Sequence, residues 1–265
     1  MSIRPWVAAL ALLLVFGAGV SADEGEPGPK RLKVLFVGNS YTWRLPESIA
    51  KLAKSGKRLL IFKAIHPGGC KLKNHCEDGA VFKALKQKRW QRVVFQEQSQ
   101  IPSFPAAQRR IDMDPFALRL CDAARERGAR PLLFLTWGRR DGDTRNFPKD
   151  DFTAMQKRLE AGIEAVARKS GAEVVPVGRA WAEAIGAGWG QSLYAADGSH
   201  PSAAGLYLNA AMFYAHLFGA SPVGLKERGG LKRTEAKRIQ ALAARVALAA
   251  PEPREPESRP ERPAK

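Results

Sequence analysis

Five short apolar runs recur along the chain, each followed by a stretch with helical patterning. This alternation constrains the fold more than any other feature. The runs are KVLFVG (33–38), RLLIFKAI (58–65), RVVFQE (92–97), PLLFLT (131–136) and EVVPVG (173–178). They are short and nearly continuous in apolar residues, as strands buried on both faces of a parallel sheet require. Between them lie LPESIAKLAKSG, AVFKALKQKR, DPFALRLCDAARERGA and DFTAMQKRLEAGIEAVARKSG, several closed by glycine, a helix-stop signal. After the fifth run come RAWAEAI, SAAGLYLNAAMFYAHLFG and a basic helix, LKRTEAKRIQALAARVALAA. The pattern predicts an α/β protein: a three-layer α/β/α sandwich around a mainly parallel, roughly five-stranded sheet.

The 265 residues suffice for one large domain of this kind. Residues 1–22 read as a signal peptide, with Arg4 before an apolar core and a small-residue VSA site ending at Ala22. The apolar core falls short of the roughly 20 residues that span a bilayer. The expectation is therefore a secreted or periplasmic protein with no stable membrane insertion after cleavage. Residues 23–31 read as a flexible linker, 32–222 as the main domain and 223–250 as a C-terminal basic helix. The tail PEPREPESRPERPAK (251–265) lacks apolar residues and is expected to be disordered.

The formal net charge is +17, and the tail is internally balanced, so the excess belongs to the folded part. Such an excess attracts polyanions. Free use of arginine accounts for the same charge without a partner. No nucleic-acid module is recognisable, so no nucleic acid is expected, and weak polyanion binding stays open. There are three cysteines. Cys70 and Cys76 could close a disulfide in an exported protein. Cys121 lies on an apolar helical stripe and reads as a buried free thiol. No CxxC or HExxH spacing occurs, so no metal site is expected.

The sheet edge at the carboxyl ends of the strands is where such folds bind ligands. Ser40, in VGNSYT, follows the first run directly. It is either a nucleophile or a helix cap, since serine serves well as both. After the second run, HPGGC brings Gly68 and Gly69, suited to a tight turn or to an N–H aimed at a ligand. After the third run, QEQSQ brings the amides of Gln96, Gln98 and Gln100. Far downstream, DGSHPS holds Asp197 and His200 three residues apart. A carboxylate at that spacing can orient an imidazole base. Equally, Asp197 and Ser199 could cap a helix that starts at Pro201.

Together these segments resemble the SGNH/GDSL hydrolase superfamily over roughly residues 33–220. Gly38-Asn39-Ser40 matches its first motif, with Asn39 in place of the usual aspartate. Gly69, or Gly68 beside it, matches its oxyanion glycine. The usual asparagine of the third motif is absent, and Gln98 holds the matching place, with Gln96 as the other candidate. Asp197 and His200 meet the last motif in full. The resemblance implies a flavodoxin-like sandwich and a serine ester hydrolase with Ser40, Asp197 and His200 as catalytic residues. It further implies an oxyanion hole from Ser40, Gly69 and Gln98, no cofactor, and a small-molecule or glycan acyl ester substrate, short-chain or acetyl. Trp43, Trp137 and Arg139 either shape the pocket or simply pack. Two alternatives stand beside this: a non-catalytic module of the same fold that binds an anionic polymer, and a thiol enzyme using Cys70.

Overall fold

The five apolar runs pair side by side as parallel strands. They are β1 (Arg31–Val37), β2 (Leu59–Ile65), β3 (Arg92–Phe95), β4 (Arg130–Phe134) and β5 (Glu173–Val175), in the order β2-β1-β3-β4-β5. The computed structural model describes residues 28–249. The expected signal peptide, residues 23–27 of the linker and the tail 251–265 lie outside the described residues.

Nine helices surround the sheet among these residues: α1 (Leu45–Ser55), α2 (Leu72–Glu77), α3 (Ala80–Gln87), α4 (Ala106–Asp112), α5 (Asp114–Glu126), α6 (Phe152–Ser170), α7 (Val177–Gly186), α8 (Ala203–Phe218) and α9 (Arg233–Ala247). Successive strand side chains point to opposite faces, so one strand feeds two cores. Val34 and Phe36 of β1 join α1, α7, α8 and α9. Leu35 and Val37 join α2, α3, α5 and α6. This is the three-layer sandwich expected from the alternation.

Three expectations change. The third run ends as a strand at Phe95, so Gln96 and Glu97 belong to the loop beyond it. The fifth ends at Val175, because Pro176 cannot donate to the ladder and α7 begins at Val177. The basic helix, read as a segment apart from 32–222, packs on that domain as α9, with Ala236, Ile239, Leu242 and Ala243 buried in the same core as α8. That cover explains why α8 is buried nearly all round. Its one buried amide, Asn209, accepts a 2.8 Å hydrogen bond from Trp181 Nε1.

The expected Cys70–Cys76 disulfide is absent: all three cysteines are free. Cys76 lies on the inner side of α2, where its thiol donates to Phe116 O of α5. Cys70 precedes α2, and its thiol turns to Lys71 O. The helix separates two thiols that are close only in sequence. Cys121 is fully buried in α5, as its apolar stripe predicts.

Candidate active site

Strand order sets the location. The chain steps from β1 outward to β2, then returns past β1 to β3, leaving a crevice at the carboxyl ends of β1 and β3 where the order reverses. Ser40 enters this crevice on a single 3₁₀ turn, Ser40–Thr42. Asn39 caps that turn, its Oδ1 accepting from Tyr41 N at 3.1 Å. Helix α1 starts later, at Leu45, behind Arg44. The Ser40 hydroxyl therefore caps neither element. Its Oγ lies 2.9 Å from His200 Nε2. Gly38 makes the turn feasible: a Cβ there would run into Thr42 Oγ1 and stand 2.5 Å from Gln96 Oε1.

The DGSHPS segment resolves in the same direction. Helix α8 is capped by Ser202, whose hydroxyl accepts from Ala204 N and Gly205 N at 3.1 and 3.2 Å. The helix thus starts two residues later than Pro201 suggested, and Pro201 instead bridges to Tyr194. Asp197 is released from capping. Its Oδ1 accepts from Ser199 N and His200 N, both at 2.9 Å, and its Oδ2 lies 2.6 Å from His200 Nδ1. Burial pushes the Asp197 carboxyl upward, but the bonds from His200 and the two backbone N–H groups outweigh it. They hold the pKa at about 2, so Asp197 is ionised at neutral pH.

The donor loops lie alongside. Pro67–Cys70 forms a turn closed by Cys70 N to Pro67 O at 3.2 Å, with Gly69 at φ 68. A positive φ at the third position alone marks a type II turn, which favours glycine there. Asn39 Nδ2 donates to Cys70 O at 2.9 Å and ties this turn to the serine turn. Gly68 lines the same cavity as Ser40 and His200. Among the described residues the backbone N–H groups of Ser40 and Gly69 have no hydrogen-bond acceptor.

The glutamines divide. Gln98 Nε2 donates to Gln100 Oε1 at 3.2 Å, and Gln98 Oε1 accepts from Gln100 N at 2.8 Å. It makes no hydrogen bond to Ser40 or His200 among the described residues. Gln96 is fully buried, and its Oε1 accepts from Asn39 N at 2.9 Å and Thr42 Oγ1 at 3.0 Å. Gln96 is therefore a pin beneath the serine turn, a role that sequence reading missed. The available signal was a polar residue directly after an apolar strand. Buried His75 supports the turn as well, Nε2 donating to Gly38 O at 2.8 Å; burial lowers its pKa and keeps it neutral. Glu97 is also buried. Its Oε1 accepts from Leu72 N and Gln98 N at 3.1 and 2.6 Å, and its Oε2 has no partner. Burial raises its pKa to about 7 despite those bonds.

Tyr41, Trp137 and Trp181 stack face to face, with centroids 4.6 and 4.2 Å apart. Tyr41 OH bonds Ser199 Oγ at 2.7 Å, and Trp137 Nε1 donates to Ser199 O at 3.0 Å. Trp137 is wholly buried, so it packs beneath the His200 loop and does not line the cavity beside Ser40. Arg139 Nη2 reaches Ser99 Oγ at 3.4 Å. Trp43, 61 % exposed, does line the cavity, which has a volume of about 900 Å³. Ser40, His200, Leu206, Tyr207 and Glu227 line it too. A hydroxyl held by an imidazole, itself held by a carboxylate, can attack an electrophilic carbonyl. Among the described residues no group of three or more His, Cys, Asp or Glu could hold a metal ion. Nor is any described helix long and apolar enough to cross a membrane.

No family model and no curated protein sequence matches the chain. Solved structures do. A DUF4886 family protein from Bacteroides uniformis superposes with a TM-score of 0.73 over 83% of this chain and 95% of its own, at 18% identity. A candidate SGNH hydrolase from Slackia heliotrinireducens does so with a TM-score of 0.58 over 69% of this chain and 97% of its own, at 29% identity. An acetyl-xylooligosaccharide esterase from Geobacillus gives 0.55 over 74% and 97%, at 14% identity. In fold and parallel strand order the chain is similar to SGNH/GDSL hydrolase structures such as the Slackia protein.

Proposed function

We propose that the chain is an exported serine esterase that removes short acyl groups, chiefly acetyl, from carbohydrate. One observation carries this: Ser40 Oγ stands 2.9 Å from His200 Nε2, and His200 Nδ1 stands 2.6 Å from an ionised Asp197. In this mechanism Ser40 attacks the ester carbonyl while His200 takes its proton. The tetrahedral oxyanion is held by the N–H of Ser40 and the N–H of Gly69, with the Gln98 amide as a third donor once it leaves Gln100. Collapse expels the alcohol, which takes its proton from His200. Water, activated by the same imidazole, then releases the acyl group. Asp197 keeps the imidazole in the productive tautomer and stabilises the imidazolium. Each oxyanion donor contributes on the order of 10²–10³ in rate.

Two features support a sugar-borne ester. The Geobacillus neighbour acts on acetyl-xylooligosaccharides. Trp43 presents an exposed ring in a cavity that also offers Tyr207, Ser48 and Glu227, a mixture of flat apolar and polar groups that suits a sugar ring. The test is a panel of chromogenic acyl esters of increasing length and of acetylated sugars, run on the wild type and Ser40→Ala. Ser40→Ala is expected to lose at least about 10⁴ in kcat with stability little altered. His200→Ala should lose a similar amount, and the double variant little more. An active Ser40→Ala protein, free of wild type, overturns the proposal.

A further inference from the structure

The edge of the sheet opposite Ser40 carries a second concavity, of about 1060 Å³. It lies beneath the amino ends of the strands, one β1 length or roughly 20 Å from the crevice. Arg31 and Lys33 of β1, Lys86 of α3, Lys88 and Arg89 just after it, and Arg127 after α5 line it. Glu126 is the one carboxylate in the lining. Among the described residues none of the six cations is in an ion pair. Five are exposed and Lys33 is half-buried.

The positive field continues along the strand starts. Arg92 and Arg130 open β3 and β4 in register with each other. Burial first, and then Arg130, lower the Arg92 pKa, with only Glu173 acting the other way. Like charges thus outnumber the two carboxylates here, Glu126 and Glu173. That is costly to the folded state and is relieved when anions bind.

We propose that this basic cleft binds a polysaccharide bearing repeated carboxylates, and so tethers the protein to an anionic glycan with the Ser40 edge facing away. The lining selects this partner. Its two large apolar members, Leu85 and Trp90, are themselves buried at 3 and 4 % exposure. A lipid surface or a protein hot spot would need exposed apolar anchors there. Single-stranded nucleic acid would need an aromatic platform for its bases. Trp90 offers none, because Lys88 covers its ring at 5.2 Å and its Nε1 donates to Ala84 O. A hydrated, charged, hydroxyl-rich chain needs only what the cleft has: guanidinium forks and ammonium groups spread along a groove. The inference does not depend on Ser40 being a nucleophile, because binding is measured without turnover.

The experiment measures binding of the full chain to polygalacturonate, neutral dextran and a single-stranded oligodeoxynucleotide at several salt concentrations. The wild type should bind polygalacturonate, lose that binding steeply with salt, and ignore dextran. Lys86→Glu, Lys88→Glu and Arg89→Glu together should weaken it by about tenfold or more. Lys232→Glu, Arg233→Glu and Lys237→Glu, at exposed positions just before and within α9, change net charge equally. They should weaken it by less than about twofold if the site is local. Circular dichroism establishes that both variants fold. Equal loss in the two triple variants, no binding by the wild type, or tighter binding to the oligonucleotide overturns the proposal.

Discussion

Glu97 sits where a charge is hard to hold, and that makes its protonation a stability switch. The carboxyl is buried against the starts of α2 and the Gln98 loop, with Oε2 unpartnered. Burial raises its pKa from 4.5 to about 7. A raised carboxyl pKa means that the folded state binds the proton more tightly than the unfolded chain does. Stability from this group is therefore full below about pH 4.5 and declines as pH rises to about 7, then stays low. One pKa unit corresponds to about 1.4 kcal/mol, so between pH 5 and pH 8 the group withdraws about 2 to 3 kcal/mol. Glu97→Gln keeps the amide oxygen for Leu72 N and Gln98 N and cannot ionise. Urea unfolding of both proteins at pH 5 and pH 8 isolates the effect, since every other titrating group is shared. The variant should be about 2 to 3 kcal/mol less sensitive to this pH change than the wild type and more stable than it at pH 8. Parallel pH dependences in the two proteins would show that Glu97 titrates normally and refute the reasoning.

Further outcomes can be checked independently. Asn39→Asp restores the residue usual in the superfamily, yet it replaces the donor to Cys70 O with a carboxylate oxygen. It should cost about 1–3 kcal/mol in urea unfolding and lower kcat; an unchanged midpoint would remove Asn39 from its bridging role. Gln98→Ala should lower kcat by about 10²-fold if its amide reaches the oxyanion, and an unchanged kcat would leave Gln98 to its turn with Gln100. Thiol counting in denaturant, without reductant, should find three free thiols; one would restore the Cys70–Cys76 bridge. The exported protein should have a mass that begins at Asp23, and retention of residues 1–22 would refute cleavage after Ala22.

Strands β1, β3 and β4 were legible because burial on both faces leaves short, nearly continuous apolar runs. Their ends were less so. Gln96 looked like the last residue of a strand or a solvated loop amide, whereas its burial depends on Asn39 and Thr42, residues that only the fold brings to it. Whether Ser40 capped a helix could not be read from VGNSYT, because Asn39 beside it caps equally well and does so here. The same holds at the far end. Asp197, Ser199, Pro201 and Ser202 all suit a helix start, and only the backbone shows that Ser202 takes the task. The Cys70–Cys76 pairing failed for a local reason: a short helix, invisible to the periodicity of so few residues, aims the second thiol inward.

Ser40 and His200 are separated by 160 positions in the chain. At roughly 5–20 residues per second, the ribosome adds the proposed base roughly ten to thirty seconds after the proposed nucleophile. All five strands precede Ala195, so the whole sheet can be synthesised before His200 is available to Ser40. On the proposed mechanism the nascent chain stays inert toward esters until α8 docks and carries the His200 loop into place. A fragment that ends before Asp197 would hold the serine turn, the Gly-Gly turn and the sheet, and still perform no acyl transfer. If Ser40 and His200 act as proposed, esterase turnover measures completed folding at the last-made helices, distant from where the serine itself was laid down.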